Sequence, residues 1–194
     1  MKDLEHLLPV QNEVGESPIW IPDQQALYWI DIEGQVVFKY KPATKDLERI
    51  KVDFPISALC RRTQDRWMAA AKNGLYFWDE QTGSSFLKDP EADTPNVRCN
   101  DSVIDRQGRF LVGTINEKDL ESPDGSLYRY DPDGSMHQLD SGLAVANGIG
   151  LSPDGRTLYV TDMFHSRILA YDYDTGSGTV SARRDFVVVP KTEG

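Results

Sequence analysis

A pattern of strands and turns that returns every 40 to 48 residues constrains this chain more than any other feature. Short apolar and aromatic runs stand at 26–32 (ALYWIDI), 35–40 (QVVFKY), 66–71 (RWMAAA), 74–78 (GLYFW), 109–115 (RFLVGTI), 126–130 (SLYRY), 157–162 (TLYVTD) and 167–173 (RILAYDY). No stretch of ten residues sustains a helical period. The dipeptides Asn73-Gly74, Asp124-Gly125, Asp133-Gly134, Asn147-Gly148 and Asp154-Gly155 fall between runs, and their tolerance of positive φ suits tight reversals between antiparallel strands. Aligning the core strand after each turn sets Leu27, Trp67, Phe110 and Leu158 in register, 40, 43 and 48 residues apart. Each unit then closes on an aromatic strand near Tyr40, Trp78, Tyr130 or Tyr171.

An all-strand repeat of this length is the signature of a β-propeller, built of four-stranded antiparallel blades around a central channel. A β-sandwich has turns as often, but no such repeat is expected of it. One all-β domain over residues 1–194 is expected, with four units and the start of a fifth in ARRDFVVVPKTEG. Propellers run from about four to eight blades. The FVVV run with nothing after PKTEG to pair with therefore reads as a propeller incomplete at its C-terminal end.

The formal net charge of −10 disfavours nucleic acid and anionic lipid as partners. It serves solubility, or a mouth that attracts cations. The N-terminal apolar run is broken by Asp3, Glu5 and Pro9, too soon for a signal peptide or a membrane span, so a cytoplasmic protein is expected. Cys60 and Cys99 lack metal-type spacing and read as free thiols. There is no nucleophile elbow, phosphate loop or dinucleotide fingerprint. His6, His137 and His165 are scattered; His165, in DMFHSRI, reads as a loop histidine, or as a base for a different hydrolase mechanism.

Three polar residues share a position in their units. Glu16 in VGESPIW, Asn100 in VRCNDSVI and Asn147 in AVANGIGL precede the aligned core residue by 11, 10 and 11 residues. The first strand of each propeller blade lines the channel, so equal offsets on different blades converge there. One carboxylate and two amide oxygens are hard donors, suited to Ca²⁺, Mg²⁺ or Mn²⁺, and the lack of Cys and His donors argues against a conventional zinc site. Taken singly, Asn147 before Gly148 also reads as a hairpin turn, Asn100 beside Asp101 as an Asx turn, and Glu16 as a surface charge.

VGESPIW, the Asp-containing strand ALYWIDI, VRCNDSVIDRQGRFLVGT and VANGIGLSPDGRTLYVTD, in that order, resemble the gluconolactonase, regucalcin and luciferin-regenerating-enzyme family along nearly the whole chain. The resemblance implies a six-bladed propeller, here about four blades and a part. It also implies a divalent cation (Ca²⁺, Zn²⁺, Mn²⁺ or Mg²⁺) in the channel and hydrolysis of sugar lactones as small-molecule substrates. By the resemblance Glu16 and Asn147 are metal ligands, and Asn100 is a substrate contact near the metal or a ligand through water. Arg98 is a substrate-binding arginine on the same ground, with a surface charge before a strand as its plain alternative. Where the family has a substrate-holding glutamate after the Gly-Thr pair, Lys118 stands, with Glu117 one position earlier. The family's remaining ligand and general base is an aspartate of the fifth blade, which would lie beyond Gly194, so no catalytic base is assigned within the chain. An ester or organophosphate hydrolase on the same scaffold, and a noncatalytic calcium-binding propeller, are the alternative functions.

Overall fold

The computed structural model describes residues 5–63 and 66–190, and every regular element among them is a β-strand. The expectations that touch Asp3 and the final KTEG lie outside the described residues. The strands form four sheets of four, each an antiparallel meander. Blade 1 comprises β1 (Gly15–Ile21), β2 (Ala26–Asp31), β3 (Val36–Lys41) and β4 (Asp46–Lys51). Blade 2 comprises β5 (Ile56–Thr63), β6 (Arg66–Ala71), β7 (Gly74–Asp79) and β8 (Gly83–Lys88). Blade 3 holds β9 (Val97–Ile104), β10 (Phe110–Asn116), β11 (Gly125–Tyr130) and β12 (Met136–Leu143). Blade 4 holds β13 (Ala146–Leu151), β14 (Thr157–Asp162), β15 (Arg167–Tyr173) and β16 (Val180–Val188). The first strands β1, β5, β9 and β13 pack in succession against one another, as in a β-propeller.

The repeat read from the sequence is the pairing that forms. Leu27 faces Tyr40, Trp67 faces Trp78, Phe110 faces Tyr130 and Leu158 faces Tyr171 across the second and third strands. In blades 2 and 3 the second strands are covered on both faces by neighbouring blades and read as continuous apolar runs, whereas in the end blades burial alternates, as along β14. Tyr28 and Trp67 pack at 4.7 Å between centroids across blades 1 and 2, and Trp67 meets Trp78 edge-on at 5.9 Å. Met68, Leu75, Phe110 and Val112 fill the seam between blades 2 and 3; Leu127, Leu158 and Tyr171 fill that between blades 3 and 4.

Two expectations are corrected. The run ARRDFVVV does not begin a fifth blade: β16 pairs with β15, Ile168 against Val187 and Ala170 against Arg184, and completes blade 4. Its Phe186 packs on Tyr159 of the same blade at 5.0 Å. Asn147-Gly148 is not a hairpin reversal; it lies inside β13, where Gly148 takes φ +52° in a bulge. Asp133-Gly134 and Asp154-Gly155 do fall between strands, and Gly74 and Gly125 open β7 and β11. Cys60 and Cys99 are free, and burial pushes the Cys60 thiol up to about 11.

Candidate channel site

The four inner strands share one irregularity. Register shifts fall between Glu16 and Ile19, between Ile56 and Ala58, opposite Val112–Thr114, and between Asn147 and Gly150. Four residues before the pairs Trp20–Leu27, Arg61–Trp67, Ile104–Phe110 and Leu151–Leu158 stand Glu16, Ser57, Asn100 and Asn147. The equal offset in the sequence is thus a shared position on the inner strands, each time at a bulge that re-aims side chains. Ser57 is the blade 2 member that sequence reading missed, because ISALCRRT offers no charge or amide at that place.

Hydrogen bonds between blades hold these bulges. The Asn100 side-chain amide donates to the Ala146 carbonyl at 3.1 Å, and its Oδ1 accepts from Arg98 Nη1 at 3.4 Å. Ser57 Oγ lies 2.8 Å from the Asn100 carbonyl oxygen, and the Leu59 amide reaches Ser17 Oγ at 3.3 Å. The Asp101 carboxylate accepts the Ile149 N–H at 2.8 Å. Asn147 Oδ1 accepts the next residue's amide at 2.9 Å and keeps a second lone pair. Burial raises the Asp101 carboxyl above its usual range. Partial burial, and then the Asp101 charge, raise Glu16 as well. A carboxylate raised by a neighbouring negative charge marks an anionic spot that a cation would relieve. Among the described residues no three His, Cys, Asp or Glu side chains converge as a metal cluster. The donor set at this position is one carboxylate plus amide oxygens, a fit for a hard cation.

Beside these strands lies a cavity of about 370 Å³ whose wall carries Glu33, Ser57, Lys72, Arg98 and Glu117. Arg98, on β9, donates to the Cys99 carbonyl at 2.9 Å, and its Nε lies 3.6 Å from Glu117 Oε2. Burial draws its guanidinium below the usual arginine range, while Glu117 and Glu33 pull the other way. Lys72 Nζ sits 2.5 Å from Glu117 Oε1, and this contact is the main reason the Glu117 carboxyl lies below its usual range. Lys118 is exposed and is not on the cavity wall; its backbone N–H donates to Asn116 Oδ1 at 3.0 Å. Glu33 and Lys72 were not singled out in the sequence; they lie between β2 and β3 and between β6 and β7.

His165 is exposed, with Nδ1 2.7 Å from Asp162 Oδ2. Asp162 is fully buried; it also accepts the Ala144 N–H at 2.9 Å and the Arg167 guanidinium at 2.9 Å. Asp31 does the same in blade 1, accepting the Glu13, Val14 and Gly34 amides. The two aspartates therefore pin the loop before an inner strand to the hairpin beside it. The histidine hangs from a structural anchor.

Four four-stranded blades with polar residues at one position of their inner strands define a β-propeller. The profile of the SMP-30/gluconolactonase/LRE-like region matches residues 14–194, and the chain belongs to that family. It is 32% identical over 188 residues to regucalcin of Xenopus laevis, covering 94% of this chain and 62% of the relative. It is 29% identical over 185 residues to pentonolactonase XacC of Haloferax volcanii, covering 93% of this chain and 60% of that one. The crystal structure of a calcium-binding protein, regucalcin, from Agrobacterium tumefaciens superposes with a TM-score of 0.85 at 26% identity, over 93% of this chain and 61% of the other. The chain spans under two thirds of the length of these relatives.

Proposed function

We propose that this chain belongs to a divalent-cation-dependent hydrolase of sugar lactones. The observation that carries the reading is the placement of Glu16, Asn100 and Asn147 at one position of three inner strands, next to a cavity walled by Arg98 and Glu117. Relatives named as a pentonolactonase and as calcium-binding support it from the side of chemistry. Glu16 and Asn147 would hold the cation, with Asn100 beside it or joined through water. When bound, such a cation polarises an ester carbonyl and lowers the pKa of bound water.

The chain's own residues do the rest. Asn100, fixed by the Ala146 carbonyl, presents Oδ1 as an acceptor. Arg98 is anchored by the Cys99 carbonyl and Glu117, so its remaining N–H groups meet ring hydroxyls without reorganising. Sugar lactones are preferred to less hydroxylated esters or phosphotriesters because Glu117, and not the Lys118 side chain, is the residue on the cavity wall.

The test is proton release from glucono-δ-lactone by the whole protein with Ca²⁺, Mn²⁺, Zn²⁺ or Mg²⁺, corrected for spontaneous opening. Glu16→Ala and Asn147→Ala are each expected to lower the cation-dependent rate about a hundredfold or more, since several kcal/mol of carbonyl polarisation is withdrawn. Cation binding by calorimetry with no turnover of any lactone would replace this reading with a noncatalytic one.

A further inference from the structure

The hairpin between the second and third strand of every blade opens toward the end of the array where the inner strands begin. In three blades that hairpin brings one charged side chain to the same cavity: Glu33 from blade 1, Lys72 from blade 2 and Glu117 from blade 3. Glu117 is held from two sides, by Lys72 at 2.5 Å on Oε1 and by Arg98 at 3.6 Å on Oε2. A carboxylate has about four lone-pair directions, so two remain to accept hydroxyls once both oxygens are fixed. The wall then sets two donors, Lys72 and Arg98, beside two acceptors, Glu33 and Glu117, two cations against two carboxylates.

Such a wall suits a neutral ring carrying several hydroxyls, each of which donates to one neighbour and accepts from another. A lactone without hydroxyls would leave these groups unpaired on desolvation, and sites built to bind hydroxyls discriminate strongly against analogues that lack them. Lys72 is itself 61% exposed, but among the described residues its ammonium is the hydrogen-bond partner of Glu117 Oε1, whereas Lys118 is turned to solvent and acts on Glu117 through its charge alone.

We propose that Lys72 is a specificity-determining residue: by fixing Glu117 against Arg98 as a hydroxyl acceptor, it commits the cavity to polyhydroxylated lactones over unsubstituted ones. The inference rests on the lactonase reading of the neighbouring channel site, and its test separates the two. In the whole protein, Lys72→Met is expected to lower the ratio of kcat/KM for glucono-δ-lactone over that for δ-valerolactone about tenfold, and Lys72→Arg to restore most of it. Glu117→Gln should lower the same ratio, and the double variant should lose little more than either single one. Calorimetry with 1,5-anhydroglucitol, a polyol ring with no ester to cleave, should show affinity falling about tenfold in Lys72→Met. A ratio and a polyol affinity both within about twofold of the unsubstituted protein would overturn the proposal. If no lactone is turned over, the lactonase reading fails, and the anhydroglucitol measurement still decides on Lys72.

Discussion

Asp162 shows what single residues do here beyond the channel. Its burial pushes the carboxyl up, but His165, the Ala144 N–H and Arg167 outweigh that and hold it below the usual range. Asp31 is likewise lowered, burial being outweighed by the Val14, Glu13 and Gly34 amides. A carboxyl whose pKa is lower folded than unfolded adds stability that is complete above its unfolded value of about 4 and is lost as pH falls through the folded one. Urea midpoints should therefore drop in acid below about pH 4, and Asp162→Asn should flatten that drop. At pH 7, Asp162→Ala is expected to cost about 1–3 kcal/mol, because the Ala144 amide loses its partner in the interior. Asp31 and Asp162 sit at the ends of apolar runs in the sequence, where an aspartate reads as turn chemistry. That each reaches an amide 18 residues upstream is visible only once the inner strand has paired.

At the scale of elements, the inner-strand bulge is the unit that matters. Gly148 uses φ +52° there without strain, whereas Ser17 adopts φ +51° and keeps its hydroxyl on the Leu59 amide. A methyl at Gly148 would also come within 2.7 Å of Thr161 Oγ1, so Gly148→Ala is expected to destabilise by about 1–2 kcal/mol. Gly113 of β10 faces the next blade: a Cβ there would stand 2.5 Å from the Ala146 Cβ. Gly113→Ala should cost about 1–3 kcal/mol and loosen the β13 end that carries Asn147, which thermal unfolding together with cation titration would reveal. The eight middle strands were legible because burial, on both faces in blades 2 and 3 and on one face in the end blades, makes them apolar and aromatic. The outer strands β4, β8, β12 and β16 were not, since one edge and much of their surface meet solvent and their residues carry no period. That is why β16 passed for the start of another unit.

On the scale of the whole molecule, stability is a sum of blade-to-blade seams, each buried only where a neighbour is present. Phe186, Val187, Val188 and Val189 at β16 and after it, with Trp20 on β1, are 40% to 61% exposed. A run of apolar side chains in water promotes association. A polypeptide of these 194 residues by itself is expected to self-associate at micromolar concentration and to bind a hydrophobic dye. Light scattering that shows a stable monomer up to high concentration would contradict this.

The sequence by itself determined the strand repeat, the register of Leu27, Trp67, Phe110 and Leu158 with an aromatic strand closing each unit, and the common position of Glu16, Asn100 and Asn147. All of these are periodic, and a period in burial is written directly into residue type. Tertiary structure alone decided that Ser57 shares that position and that Gly148 sits in a bulge. It also decided that Glu33, Lys72 and Glu117 meet at one cavity with Arg98. These depend on how hairpins from different blades reach one end of the array, and no local propensity records a distance between residues 40 or more positions apart.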